Sequence, residues 1–357
     1  MSHIILPLID CNNLQIRLND ITDKGANPNE PAPEIQFLKS PQNTNGRLES
    51  SVVYSGGKVK GVEVIYTPRV GDGEVDTTLT VDCTSTNNAG ENSTTYDIDE
   101  LAGAQYGENI VIADLTRRCQ ANQDWFAERV LAIIDGVKRK MQIRVAEQMS
   151  ALYGTFATDG GETGLSAGNT LKTVETKFPV ATDGGKWNPE ALQEIMFSTQ
   201  NSGFTGVPYI FGMGEIWRYW NYLIGLGNFS DGGMDFASWV NGNQAAFLNS
   251  LRMHKALNPS GGNKFLAVDA GSLFLIQYNR FDDPLAKVND GMTQMDVIVD
   301  PKTGIPFNYK VSRTCSEEIN IFVSTAFKVV GLPDDMYSGG DRLEGTTGVL
   351  RFDIANT

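Results

Sequence analysis

Apolar positions change period several times along the chain, and each change predicts an element. From Leu115 to Tyr153 they recur at three- and four-residue steps. Trp125, Phe126, Val130, Ile133, Ile134, Val137, Met141, Val145, Met149 and Leu152 make one stripe with no proline in it. That spacing predicts one amphipathic helix over residues 114–153. Asp114 is its cap, Gly154 its stop, and at ~1.5 Å per residue it would run about 60 Å unbroken. Gly136 costs it about 1 kcal/mol against alanine and is the candidate bend.

Between Ser51 and Asp99 the period is two. Val62, Val64 and Tyr66 alternate with polar residues, and Val75, Thr77, Leu79 and Val81 do so again after Gly71-Asp72-Gly73. Two such runs about a Gly-Asp-Gly turn predict a β-hairpin. Its flanks, Ser55-Gly56-Gly57 and Asn87-Asn88-Ala89-Gly90, read as loops, and Thr94 to Ile98 as a strand. A hairpin on long flanks is marginal alone in water, so it implies a second surface to lie on. Ahead of it, Pro7, Pro28, Pro31, Pro33 and Pro41 predict an extended arm, and Gly25 to Pro33 cannot be helix.

After the long helix, Thr158 to Thr170 reads as a glycine-rich loop and Lys172 to Val180 as a strand. Asn188-Pro189-Glu190 starts a helix with Leu192, Ile195 and Met196 inward, ending at Gly203. Val207 to Phe211 predicts a short buried strand, Glu215 to Leu226 and Asn243 to Leu257 predict helices, and Lys264 to Val268 a strand. Met295 to Val299, Phe307 to Ser312, Ile319 to Val330 and Gly348 to Ile354 return to strands, with a turn at Asp300 to Gly304. The mixture is α+β.

Composition narrows the function. Of 357 residues, 41% are hydrophobic and 20% charged, an ordinary folded composition, and the net charge is −14. An acidic surface repels phosphates, which argues against specific nucleic-acid binding. Cys11, Cys83, Cys119 and Cys315 are too scattered for a disulfide scaffold or a zinc site. The first twenty residues lack a signal peptide's basic start, and no run approaches the ~20 apolar residues of a membrane span. A cytoplasmic, soluble protein is expected.

Catalytic equipment is thin. His3 and His254 are the only histidines, and neither sits by a nucleophile signature. Gly212-Met213-Gly214 lacks the rest of a phosphate loop. Asp97-Ile98-Asp99-Glu100, Asp282-Asp283, Glu317-Glu318 and Asp334-Asp335 lack calcium-loop spacing and read as exposed charge pairs. The aromatics Trp217, Tyr219, Trp220 and Tyr222 read as core or subunit contact. No catalytic residue, cofactor or metal site is expected.

The order of these parts, with Asp114-Leu-Thr-Arg-Arg-Cys-Gln-Ala-Asn-Gln-Asp-Trp-Phe-Ala-Glu128 opening the long helix, resembles the major capsid proteins of tailed double-stranded DNA bacteriophages, the HK97-like fold. The resemblance implies an N-terminal arm over 1–50, an E-loop hairpin over 51–90, a P-domain over 91–185 with its spine helix at 114–153, an α/β A-domain over 186–310, and closing strands over 311–357. It implies a non-enzymatic protein that self-assembles through hexamers and pentamers into an icosahedral shell around phage DNA. Its location would be the virion, after assembly in a bacterial cytoplasm. Implied partners are copies of itself and portal, scaffold and decoration proteins, with DNA held only non-specifically and no membrane. An encapsulin-type shell around an enzyme cargo shares this fold. A reading of another class is a β-rich carbohydrate-binding or carbohydrate-processing protein that uses the Trp217 to Tyr222 aromatics. A phage tail tube has no room for so long a helix.

Charge is unevenly spread. Residues 1–113 carry a net −9, residues 114–153 a net +2, and residues 154–357 a net −7. The helix is therefore a basic rod in an acidic chain. Carboxylates Glu63, Asp72, Glu74 and Asp76 on the hairpin are expected to meet Arg117, Arg118, Lys138, Arg139, Lys140 and Arg144 of a neighbouring copy.

Overall fold

The computed structural model describes residues 11–23, 32–40, 48–55, 58–67, 91–111, 122–152, 199, 204, 208–213, 246–260, 264–283, 286–289, 292–313, 318–331 and 348–353. They form mostly strands with few helices, a mixed α+β architecture. The chain divides into two units. One comprises Met1–Gln36, Asp97–Arg144 and Ile276–Lys328, and the other Phe37–Tyr96, Val145–Leu275 and Val329–Thr357.

Two helices open the described chain, α1 over Cys11–Asp23 and α2 over Pro33–Lys39. This corrects the expected extended arm. Prolines flank these segments without interrupting them, and Leu14, Leu18 and Ile21 repeat at helical spacing and are all buried. Pro33 occupies the first turn of α2, where its missing N–H costs nothing. The helix α1 lies by β10 (Thr293–Val299). There the Gln15 side chain donates to the Val299 carbonyl and accepts from the Val299 N–H, both at 2.9 Å. One amide thus stands in for a neighbouring strand.

The first unit is built on a six-stranded sheet. Its order is β4 (Ala102–Val111), β12 (Glu318–Gly331), β11 (Pro306–Arg313), β10 and β9 (Val288–Asn289), with β8 (Leu273–Tyr278) also paired to β12. Alternate residues of β12, Ile319, Ile321, Val323, Phe327 and Val329, are buried, while those between them are half-exposed. Such period-two burial is the mark of a strand with one face on a core. The Asp300 to Gly304 turn forms as expected, with Gly304 at φ 65° and its N–H bonded to the Asp300 carbonyl at 2.9 Å. Strands β10 and β11 are laddered through to β12 within this unit.

Helix α3 runs over Asn122–Ala151, 30 residues, continuously through Gly136. At ~1.5 Å per residue that is about 45 Å. The helix is not interrupted at Gly136, which is exposed. The stripe is buried at Phe126, Val130, Ile133, Ile134, Val137, Met141, Val145 and Met149. Residues 112–121 and 153–198 lie outside the described residues, and with them Asp114, Gly154, the 172–180 strand and the Asn188 cap. Within the first unit two ion pairs hold α3 across the sheet, Arg129 to Glu108 on β4 and Lys138 to Asp300 at the end of β10.

The second unit holds two sheets. One has the order β13 (Val349–Asp353), β7 (Lys264–Val268), β5 (Tyr209–Gly212), β6 (Ala246–Asn249), with β5 and β6 parallel. Phe37 of α2 packs on Tyr209 and Phe211, ring centres 4.7 and 5.3 Å away. The expected helix over 243–257 is corrected: β6 occupies 246–249, and only Leu251–Leu257 is helix, α4. Ser250 makes the break, its side chain accepting from the Met253 N–H at 3.1 Å as an N-cap. The Glu215 to Leu226 helix lies outside the described residues. The second sheet, β1 (Leu48–Ser55), β2 (Lys58–Tyr66), β3 (Asn92–Asp97), is three-stranded.

Candidate assembly surface

Strands β1 and β2 pair antiparallel from Leu48 opposite Tyr66 to Ser55 opposite Lys58, with an irregularity between Val53 and Tyr54. Gly56 and Gly57, expected as loop, lie outside the described residues. The turn at 71–73 and the strand at 75–81 lie outside the described residues. On β2 burial falls from Tyr66 toward Lys58, while β1 is exposed past Leu48 except at the half-buried Val53. Leu48, Val62, Val64 and Tyr66 are buried at the base, whereas Val52 is 38% and Tyr54 52% exposed. Lys58 and Lys60 are exposed beside them. The described end of this hairpin is thus apolar with two cations, and it adds Val52 and Tyr54 to the residues singled out from sequence. Their signal was available, since Val52-Val53-Tyr54 precedes a Gly-Gly pair.

Of the expected contact residues, Glu63 is half-buried on β2, and Arg139, Lys140 and Arg144 are exposed on α3. Asp72, Glu74, Asp76, Arg117 and Arg118 lie outside the described residues. Lys138 is a correction. Its side chain is 2% exposed, with Nζ 3.0 Å from Asp135 Oδ1 and 3.3 Å from Asp300 Oδ2. Asp300 itself is 0% exposed and also accepts from the Thr303 N–H and hydroxyl. Lys138 is thus committed to its own chain. One turn on, Gln142 Nε2 donates to the buried Glu34 of α2 at 3.2 Å, a polar tie between α3 and the amino-terminal segment. Arg129 grips Glu108 by a two-bond fork, 2.8 and 2.5 Å, and that hydrogen bonding holds its guanidinium pKa above the ordinary value.

His254 lies on α4, its Nδ1 3.2 Å from Asn258 Nδ2. Asn258 in turn binds both the N–H and the carbonyl of Lys264, so the group closes a turn. Glu100 of the 97–100 acidic cluster pairs with Lys328 at 2.7 Å. His3, three of the four cysteines and the Trp217 to Tyr222 aromatics lie outside the described residues. Among the described residues no group of His, Cys, Asp and Glu could hold a metal ion. None of their helices is long and apolar enough to cross a membrane.

No family model matches the sequence, and no curated protein matches it. Solved structures that resemble the chain do exist. One is the capsid of a native GTA particle, 10% identical over 92% of both chains with a TM-score of 0.45. Another is the capsid structure of the cyanophage P-SCSP1u, 10% identical over 88% of this chain and 90% of that one, TM-score 0.41. A third is a virus-like particle from Pyrococcus furiosus, 9% identical over 96% of this chain and 98% of that one, TM-score 0.36. The structures that this chain is similar to include capsids of phages and of related particles.

Proposed function

We propose that this chain is a non-enzymatic shell protein, a major capsid protein of the HK97-like kind, that assembles through hexamers and pentamers around phage DNA. The observation that carries the reading is the β1–β2 hairpin. Its outer end leaves Val52 38% and Tyr54 52% exposed, and covering what remains would contribute roughly 0.5–1.5 kcal/mol each. Strand β1 is buried only at Leu48, so beyond its base the hairpin draws little packing from its own chain. A neighbouring copy supplies the missing surface, and around a closed ring every copy both gives and receives it. The order of elements supports the same reading: hairpin, strand into a long helix, a mixed unit, then closing strands.

Charge sets the register in this proposal. Glu63, Asp72, Glu74 and Asp76 of one copy face Arg117, Arg118, Arg139, Lys140 and Arg144 of the next, without Lys138. Exposed pairs contribute ~0–1 kcal/mol each, so their cluster directs orientation more than affinity. Portal, scaffold and decoration proteins are the further partners the reading implies. A shell around an enzyme cargo differs in content, which nucleic-acid and protein analysis of purified particles reads directly.

The test is a pair of variants followed by sedimentation. Val52→Glu with Tyr54→Glu should weaken capsomer formation by about tenfold or more, a loss of ~1.4 kcal/mol per contact ring, with the thermal melt of the monomer unchanged. Reversal of Asp72, Glu74 and Asp76 to lysine should weaken it less, with partial rescue by Arg139→Glu and Lys140→Glu. Normal assembly of both variants at low salt would contradict the proposal.

A further inference from the structure

The outer face of the six-stranded sheet carries a hollow of about 660 Å³ that the assembly reading leaves unused. Strand register builds its floor. Across β10, β11, β12 and β4, Met295, Lys310, Phe322 and Gly107 stand in one row. Thr293, Ser312, Asn320 and Asn109 form the next row. Residues two apart on a strand share a face, so both rows look to the same side. With strands ~4.8 Å apart, the Lys310 stem rises between Met295 and Phe322. The Phe322 ring lies by Gly107, where a Cβ would come within 3.3 Å of it, so β4 presents no side chain that pushes the ring toward Lys310. Phe281 and Val288, from the segment joining β8 to β10, wall the hollow.

Three groups here have unmet demands. Neither the Lys310 ammonium nor the Arg280 guanidinium has an ion pair or a side-chain hydrogen bond among the described residues, in a chain of net charge −14. Asn320 Oδ1 is buried without a hydrogen-bond partner. A buried acceptor with no donor costs ~1–3 kcal/mol, a cost that a ligand N–H would remove.

We propose that this hollow captures the carboxyl-terminal residue of a partner polypeptide, one with an aliphatic or aromatic side chain. Such a residue alone offers all three matching groups. Its α-carboxylate answers Lys310 and Arg280, its backbone N–H answers Asn320, and its side chain rests on Phe281, Met295 and Phe322. An internal aspartate or glutamate spends its side chain on the charge and brings no apolar group on the same residue. The volume falls within the ~300–1,000 Å³ of sites that enclose small ligands. This site concerns a second protein and stands whether or not the chain forms a shell.

The test is fluorescence anisotropy on the full chain. The probes are amino-terminally labelled peptides Gly-Ser-Gly-Xaa, with Xaa leucine, isoleucine, valine, phenylalanine or methionine, each as free acid and as amide. At least one free acid should bind below millimolar concentration. Amidation, Lys310→Glu and Arg280→Glu should each weaken it about tenfold or more, and Lys310→Arg should retain it. Arg280 is exposed, so its variant keeps the test valid even if Lys310→Glu folds poorly. Equal binding of acid and amide, binding that survives both charge reversals, or no binding of any acid up to millimolar concentration would overturn the proposal.

Discussion

Lys138 is one of six basic residues expected on the outer face of the long helix, and it points the other way. Its neighbours at helical spacing explain this: Ile134, Met141 and Gln142, three and four residues away, are buried. The four-residue step from Ile134 was legible in the sequence, but the partner was not, because Asp300 lies 162 positions on. Burying a pair is not a gain in itself, since desolvation offsets the attraction. Removing one member is another matter. Lys138→Ala should destabilise the fold by about 3–5 kcal/mol in urea unfolding, because it leaves a fully buried carboxylate with no cation. Lys138→Met with Asp300→Asn, which removes the buried charge and keeps an acceptor for Thr303, should recover part of that loss. A single variant as stable as the parent would show that the carboxylate finds water or a proton at no cost.

Elements were readable where one period ran unbroken and hard to read where a ladder imposed the conformation. The α3 stripe needed no tertiary information, and its continuity through Gly136 follows from burial on both sides of that residue. Gly136→Ala should raise stability by about 1 kcal/mol, because an added Cβ meets nothing within 4 Å. A drop in melting temperature would mean that the glycine serves a contact outside the chain. Strand β4, Ala102–Val111, shows the opposite case. Two internal glycines and little alternation hide it in the sequence, and pairing with β12 over Ala102 to Val111 defines it. At 243–257 a helical period ran across a strand, a serine cap and a helix, which periodicity alone does not separate. In the amino-terminal segment the prolines suggest an extended arm, yet Pro33 opens α2 and no proline falls within α1.

For the whole molecule, two things follow from what the described chain leaves unfinished. The β1–β2 hairpin ends in exposed valine and tyrosine, and the outer sheet face holds two cations and a bare acceptor. In the proposals above, another copy of the chain meets the first and a different protein the second. Sequence alone suggested self-association through element order and charge, and it placed the basic partners on the long helix. It gave no sign of the hollow, whose residues come from four strands and a loop between 280 and 322 that only the sheet register brings together. The central claim is that this chain builds a closed shell. Electron microscopy of the purified full chain at high concentration tests it most directly. The account predicts hollow icosahedral particles, or hexamers and pentamers that close into them as concentration rises. A well-folded 39.0 kDa monomer at every concentration, with no capsomer in any field, would contradict it.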